Sequence, residues 1–198
     1  IVFSSGEIQA RLKNFISRNF FSYKYDYRTE WLRFIDGISG SANALTIPER
    51  TVHALANIIG STSGNIWVRR DEDHVFHTAG TWNMHNLPPD IPLADPWIKT
   101  LAERPGVVEI CRGGEVDGQG LSGPWLPEWL VAHPQAQLIL PLLHGVKLVG
   151  LVVLGEVRAP RAFDWEDFDL LKTATRQAAS YIVEDLTAQT LARVRRFE

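Results

Sequence analysis

The stretch LILPLLHGVKLVGLVVLGE, Leu138 to Glu156, decides the fold. Two runs rich in Leu, Val and Ile flank His144-Gly145-Val146, which turns the chain. A near-continuous apolar run, without alternation, marks a strand covered on both faces. Gln137–Leu143 and Lys147–Glu156 are therefore expected as the central pair of a sheet. Pro141, His144, Gly145 and Lys147 interrupt the run. It cannot cross a bilayer, which takes about 20 consecutive apolar residues in a helix.

Downstream, FDWEDFDLLKTATRQAASYIVEDL runs from Phe163 to Leu186. Asp164 opens a helix, Asp167 sits three residues on to complete a capping box, and Phe163 can staple onto Phe168. No Gly or Pro follows up to Glu198, so one helix of roughly 50 Å is expected, longer than the width of about 30 Å of a small domain. Its first half carries Phe168, Leu171, Ala174, Ala178 and Ile182, whose small alanines suit close packing on a sheet. Its second half carries Val183, Leu186, Leu191, Val194 and Phe197 beyond any sheet it could cover. That apolar surface calls for a partner, and a parallel copy of itself is the simplest. Arg193, Arg195 and Arg196 read as partners of the helix dipole and solvated flank.

Upstream, Thr46, Pro48 and Glu49 start a helix with a capping box, and Gly60 ends it. Asn65–Arg70 and His74–Thr81 read as a hairpin across Asp71-Glu72-Asp73. Trp82–Asp95 reads as loop, Asp95-Pro96 as a helix start, and Val107–Cys111 as a short strand. Arg112–Gln135, rich in Gly, Pro and Trp, reads as a long functional or mobile loop. The first forty residues read as two helices, one bearing Ile8, Leu12, Phe15 and Ile16, the other Trp31, Phe34, Ile35 and Ile38. Residues 1–40 are expected as linker helices, 41–182 as the domain proper and 183–198 as a projecting helix. The chain begins without Met and stops abruptly, so both ends are expected to be cuts within a longer protein.

Composition narrows the functional classes. The 198 residues hold 45% hydrophobic and 22% charged side chains, the balance of a globular protein able to bury its own core. The net charge of −3 gives no electrostatic footprint for nucleic acid. One cysteine, Cys111, excludes an internal disulfide and fits a reducing compartment. His74 and His77 point to opposite faces of a strand, and the six histidines offer no metal-ligand spacing. Cys111 at the end of an apolar strand reads as a small core residue first and a nucleophile second. Gly113-Gly114, Gly118 and Gly120 form no phosphate loop. Of seven tryptophans, Trp82, Trp97, Trp125 and Trp129 sit in or beside long loops. They either plug those loops onto the core or, with Cys111, line an aromatic pocket for a small apolar or planar ligand.

This order of elements, with the hairpin at Leu138–Glu156 and the exit helix at Phe163–Leu186, resembles a GAF domain. NFFSYKYDYRTEWLRFI (Asn19–Ile35), RTVHALANIIGSTSGNIWV (Arg50–Val68) and LLKTATRQAASYI (Leu170–Ile182) resemble the PrsK-type sensor histidine kinases of PEP-CTERM/exosortase systems. The resemblance implies an α+β fold, with an antiparallel sheet of five or six strands, N-terminal helices and a long C-terminal signalling helix. It implies the cytoplasmic sensory part of a bacterial, membrane-anchored kinase, whose kinase core would begin after Glu198. No phospho-accepting histidine box or ATP-binding motif lies within the chain, so the fragment itself is expected to have no enzymatic activity. The expected partners are a second copy through the terminal helices, the kinase core, and a small-molecule ligand. Nucleic acid binding and membrane insertion of the fragment are not expected. The sequence carries no cyclic-nucleotide signature, no convincingly placed bilin cysteine and too few cysteines for methionine sulfoxide reduction. The cofactor is therefore left unknown, with none required. Two other readings stand beside this one: the effector domain of a transcription regulator, and a small enzyme using Cys111.

Overall fold

The structure is a computed structural model and describes residues 26–40, 44–70, 73–104, 106–110, 125–159 and 161–195. Its elements are α1 (Tyr27–Ser39), α2 (Ile47–Ile59), β1 (Gly64–Val68), β2 (Val75–Trp82), β3 (Asp90–Pro92), α3 (Pro96–Glu103), β4 (Val108–Glu109), α4 (Glu128–Val131), β5 (Ala136–His144), β6 (Lys147–Gly155) and α5 (Trp165–Val194). The strands form one antiparallel sheet of six in the order β3-β2-β1-β6-β5-β4. The sequence-derived α+β class with its long C-terminal helix is the class observed.

Local chemistry sets the helix ends. The Thr46 hydroxyl accepts from the Glu49 N–H at 3.4 Å, and the Thr46 N–H donates to Glu49 Oε2 at 2.8 Å. Gly60 ends α2 at φ 72°, a left-handed turn that costs a residue without Cβ little. At α5, Asp164 Oδ1 accepts from the N–H groups of Glu166 and Asp167 at 3.1 and 3.2 Å. The Asp164 N–H donates to Asp167 Oδ2 at 2.9 Å. Phe163 and Phe168 meet edge to face, 6.2 Å between ring centres. The expected staple therefore fixes the entry of α5.

The core has two parts, one on each face of the sheet. On the first face, α1, α2 and the first half of α5 cover Ile66, Val68, Leu138, Leu140, Val149, Val152 and Leu154. On the second, α3, α4 and their flanking loops cover Trp67, Ile139, Leu148, Leu151 and Val153. From Leu151 to Leu154 successive β6 residues thus alternate between two apolar layers, which is why the sequence there shows no polar face. α1, expected as linker, buries Phe34 and Ile38 in the first layer.

Three expectations change. Trp82–Asp95, expected as loop, contains β3; three residues long and at the sheet edge, it tolerates Pro92 because an edge position needs no further donor. Arg112–Gln135, expected as loop, contains the single-turn α4, while residues 111–124 lie outside the described residues. The strand expected over Val107–Cys111 is reduced to two residues. α5 is described to Val194, and the end of the expected helix, 196–198, lies outside the described residues. The helix expected around Ile8–Ile16 also lies outside them.

Candidate functional site

The second face of the sheet carries an aromatic cluster. Trp67 comes from β1, Trp97 from α3 and Trp129 from α4. Trp97 and Trp129 meet edge to face at 6.0 Å, and Trp67 and Trp129 lie 6.4 Å apart at 57°. Trp125, half-buried, packs against the same layer, together with buried Met84, Ile91, Leu101 and Leu130. Three of the expected pocket residues, Trp97, Trp125 and Trp129, are therefore brought together. Cys111 lies outside the described residues.

Trp82 is not part of this cluster. It turns to the first face, where its ring lies 4.5 Å from that of His53 on α2. A register shift in β2 is the cause. Ile66 pairs with Gly80 but Trp67 pairs with Thr78, so Ala79 is an extra residue in β2. Phe76, before the shift, faces the aromatic cluster. Past it the alternation is inverted, and a Cβ at Gly80 would meet Glu49 of α2. Trp82, two residues on, shares that direction. Conversely, Trp67 is a member that sequence reasoning missed. The signal was available: in GNIWV (Gly64–Val68), Trp67 must face opposite to its neighbours Ile66 and Val68.

The indole donors differ. Trp67 Nε1 donates to the Pro88 carbonyl at 2.9 Å. Trp97 Nε1 is buried with no hydrogen-bond partner among the described residues. The loop beside the cluster is tied by His133, which is buried. Its Nδ1 faces the N–H groups of Gln135 and Ala136 at 3.3 and 3.2 Å, and its Nε2 lies 2.8 Å from the His85 carbonyl. Donation from Nε2 and acceptance at Nδ1 satisfy all three contacts, which identifies the tautomer. On β4, partial burial pushes the Glu109 carboxyl above its ordinary range. Among the described residues, no three His, Cys, Asp or Glu side chains converge to hold a metal ion. Among the same residues, no helix is long and apolar enough to cross a membrane.

The second candidate region is the end of α5. Its buried residues extend from Asp167 to Ile182, and Val183 and Leu186 still touch the first layer. Beyond them Leu191 and Val194 are 56% and 55% exposed. Leu186 and Leu191, expected on the signalling helix, line a groove of about 440 Å³ with Val149 and Arg69. Phe197 lies outside the described residues.

No family model matches the sequence, and no curated protein matches it. Solved structures do. The GAF domain of a phosphoenolpyruvate-protein phosphotransferase from Coxiella burnetii matches at TM-score 0.60 and 12% identity, over 85% of this chain and 99% of that one. The free methionine-R-sulfoxide reductase of Neisseria meningitidis matches at 0.54 and 15%, over 87% and 96%. A far-red-absorbing protein with bound biliverdin matches at 0.54 and 20%, over 79% and 98%. These likenesses establish a GAF-like fold.

Proposed function

We propose that the chain is a regulatory GAF sensor module of a two-component histidine kinase, without catalytic chemistry of its own. One observation carries this reading: α5 is a single 30-residue helix that is only partly used by the domain. At 1.5 Å per residue it is about 45 Å long. Its fully buried residues end at Ile182, its contact with the core ends at Leu186, and the last turns present Leu191 and Val194 to solvent. A helix rooted in the core at one end and unpartnered at the other suits the transmission of a change in the domain to something beyond it. Pairing with the same helix of a second copy would cover Leu186, Leu191 and Val194.

The kinase assignment draws on the sequence resemblance over Asn19–Ile35 and Leu170–Ile182. The solved GAF structures support the regulatory part more broadly, since one belongs to a phosphotransferase and another to a methyl-accepting chemotaxis protein. The input site of this reading is the aromatic cluster of Trp67, Trp97 and Trp129, where the buried Trp97 Nε1, without a partner among the described residues, would donate to a small apolar or planar ligand. The parent is a cytoplasm-facing, membrane-anchored kinase.

Reading the coding sequence beyond Glu198 tests the kinase assignment. A histidine box followed by ATP-binding motifs supports it; a helix-turn-helix replaces it with a transcription regulator. Sedimentation equilibrium of the 198-residue chain tests the helix role. A dimer that dissociates in Leu191→Glu/Val194→Glu supports it, and a strict monomer at high concentration removes the dimer.

A further inference from the structure

A cavity of about 550 Å³ opens on the outer side of β5. It lies between the end of α3, the tip of the β5–β6 hairpin and the solvent flank of α5. Its origin is topological. β4 pairs only with Leu138 and Ile139, so β5 beyond Leu140 has no described strand on that side. Small-ligand sites occupy roughly 300–1,000 Å³, and this cavity falls within that range.

Its lining divides by chemistry. Val107 and Leu143 form an apolar wall. Val146 completes it from the hairpin tip, where it is 98% exposed and belongs to neither core layer. Two-residue hairpin turns favour Gly, Asn and Asp, and the adjoining Gly145 follows that rule at φ 62°. A β-branched apolar residue beside it serves no folding purpose that the packing reveals, but it forms a lip to the cavity.

The opposite wall is cationic. Lys172 and Arg176 stand one turn apart on α5, at the spacing that makes helix side chains neighbours. Neither forms an ion pair among the described residues. His144 lies at the rim, and Glu103 is the one carboxylate that lines the cavity. Two adjacent cations without an ion partner among the described residues thus line one cavity with apolar side chains, in a chain of net charge −3.

We propose that this cavity binds a small amphipathic anion, an organic carboxylate or a phosphate monoester. The charged head lies on Lys172 and Arg176, and the apolar chain runs along Val107, Leu143 and Val146. Lys172 and Arg176 belong to the sheet-packed half of α5, so an occupant bears directly on the helix that leaves the domain. The cavity is not lined by Trp67, Trp97 or Trp129, although its Ala102 and Leu143 pack against their layer, and it does not rest on the kinase reading.

Calorimetric titration of the chain with octyl phosphate and with octanoate tests it. Inorganic phosphate serves as the bare head group and phosphatidylglycerol vesicles as the lipid source. One octyl anion per chain is expected to bind, with affinity lowered about tenfold or more in Lys172→Gln/Arg176→Gln. Val146→Asn should weaken both octyl anions and leave inorganic phosphate unaffected. Arg158→Gln, an exposed cation outside the cavity, should change nothing. The absence of saturable binding at millimolar octyl anion overturns the proposal, as does equal affinity in the double variant. Inorganic phosphate binding as tightly as octyl phosphate overturns the apolar half. Binding to vesicles alone replaces the cavity with a membrane-facing surface.

Discussion

The guanidinium of Arg161 forks onto the carboxylate of Asp167, with contacts of 2.5 and 2.7 Å, at the point where α5 begins. The Asp167 side chain is fully buried, while that of Arg161 keeps 28% of its surface. Asp167 also accepts the Asp164 N–H, so one carboxylate closes both the helix cap and the ion pair.

This asymmetry sets the first expected outcome. Arg161→Ala removes a charged partner from a carboxylate that water does not reach, and should cost about 3 kcal/mol. Asp167→Asn leaves an arginine that can turn to solvent, and an amide oxygen that can still accept the cap bond. It should cost less, about 1–2 kcal/mol. Chemical denaturation of the two single variants and the double variant measures both values and their coupling.

The cap at Thr46 gives a pH-dependent expectation. Hydrogen bonds from the Thr46 N–H and then its hydroxyl hold the Glu49 carboxyl below its ordinary value of 4.5. A depressed folded-state pKa adds stability above the unfolded value and loses it as pH falls through the folded one. Thr46→Ala should cost about 1 kcal/mol at neutral pH. The gap from the unsubstituted chain should narrow as pH drops below 4.5. Melting curves across that range check it.

Glu109 has the opposite sign. Burial raises its folded-state pKa, so the stability associated with this group is present below its ordinary value of 4.5 and lost as pH rises through the folded value. Glu109→Gln should therefore be neutral or stabilising at pH 7 and should flatten the loss of stability between acid and neutral pH. Denaturant titrations at the two ends of that range decide it, and a clear destabilisation at neutral pH would contradict the assigned cause.

How much of this molecule the sequence discloses follows from the range of the interactions. Caps at Thr46 and Asp164, the Gly60 terminus and the Leu138–Glu156 hairpin are set by residues within a few positions of one another, and all are legible. So is the departure of α5 from the domain, because the change from Ala174 and Ala178 to Leu191 and Val194 is written along one helix. The face of Trp82 is not legible. It depends on the extra residue Ala79 in β2, which only the pairing with β1 reveals. β3 escapes for a related reason: Asp90–Pro92 is too short to display alternation and exists through its pairing with β2. The cavity beside Lys172 was equally hidden, since it arises where β4 stops.

The indole donors distinguish two tryptophans that composition treats alike. Trp67 and Trp97 are both buried on the same face. Substitution by Phe removes similar volume from each, but among the described residues only Trp67 loses a hydrogen bond, the one to Pro88. Trp67→Phe should therefore cost about 1 kcal/mol more than Trp97→Phe. If a ligand accepts from Trp97 Nε1, its affinity should fall in Trp97→Phe, while the free domain loses only the packing of the removed ring. Parallel unfolding and binding measurements separate the two effects.

The two halves of α5 should respond in opposite ways to enlarged and charged side chains. Ala174 and Ala178 are fully buried where the helix meets the sheet and α2. Adding methylenes there forces neighbours out of their preferred rotamers, so Ala174→Leu or Ala178→Leu should destabilise the chain by about 1–3 kcal/mol. Leu191 and Val194 are more than half exposed and touch neither core layer. In a monomeric chain, Leu191→Glu and Val194→Glu should change unfolding free energy by less than about 0.5 kcal/mol. A loss that grows with protein concentration at these two positions, and is absent at Ala174 and Ala178, would mean that the exposed half is stabilised by a second copy. Denaturation at two widely separated protein concentrations reads out the difference directly.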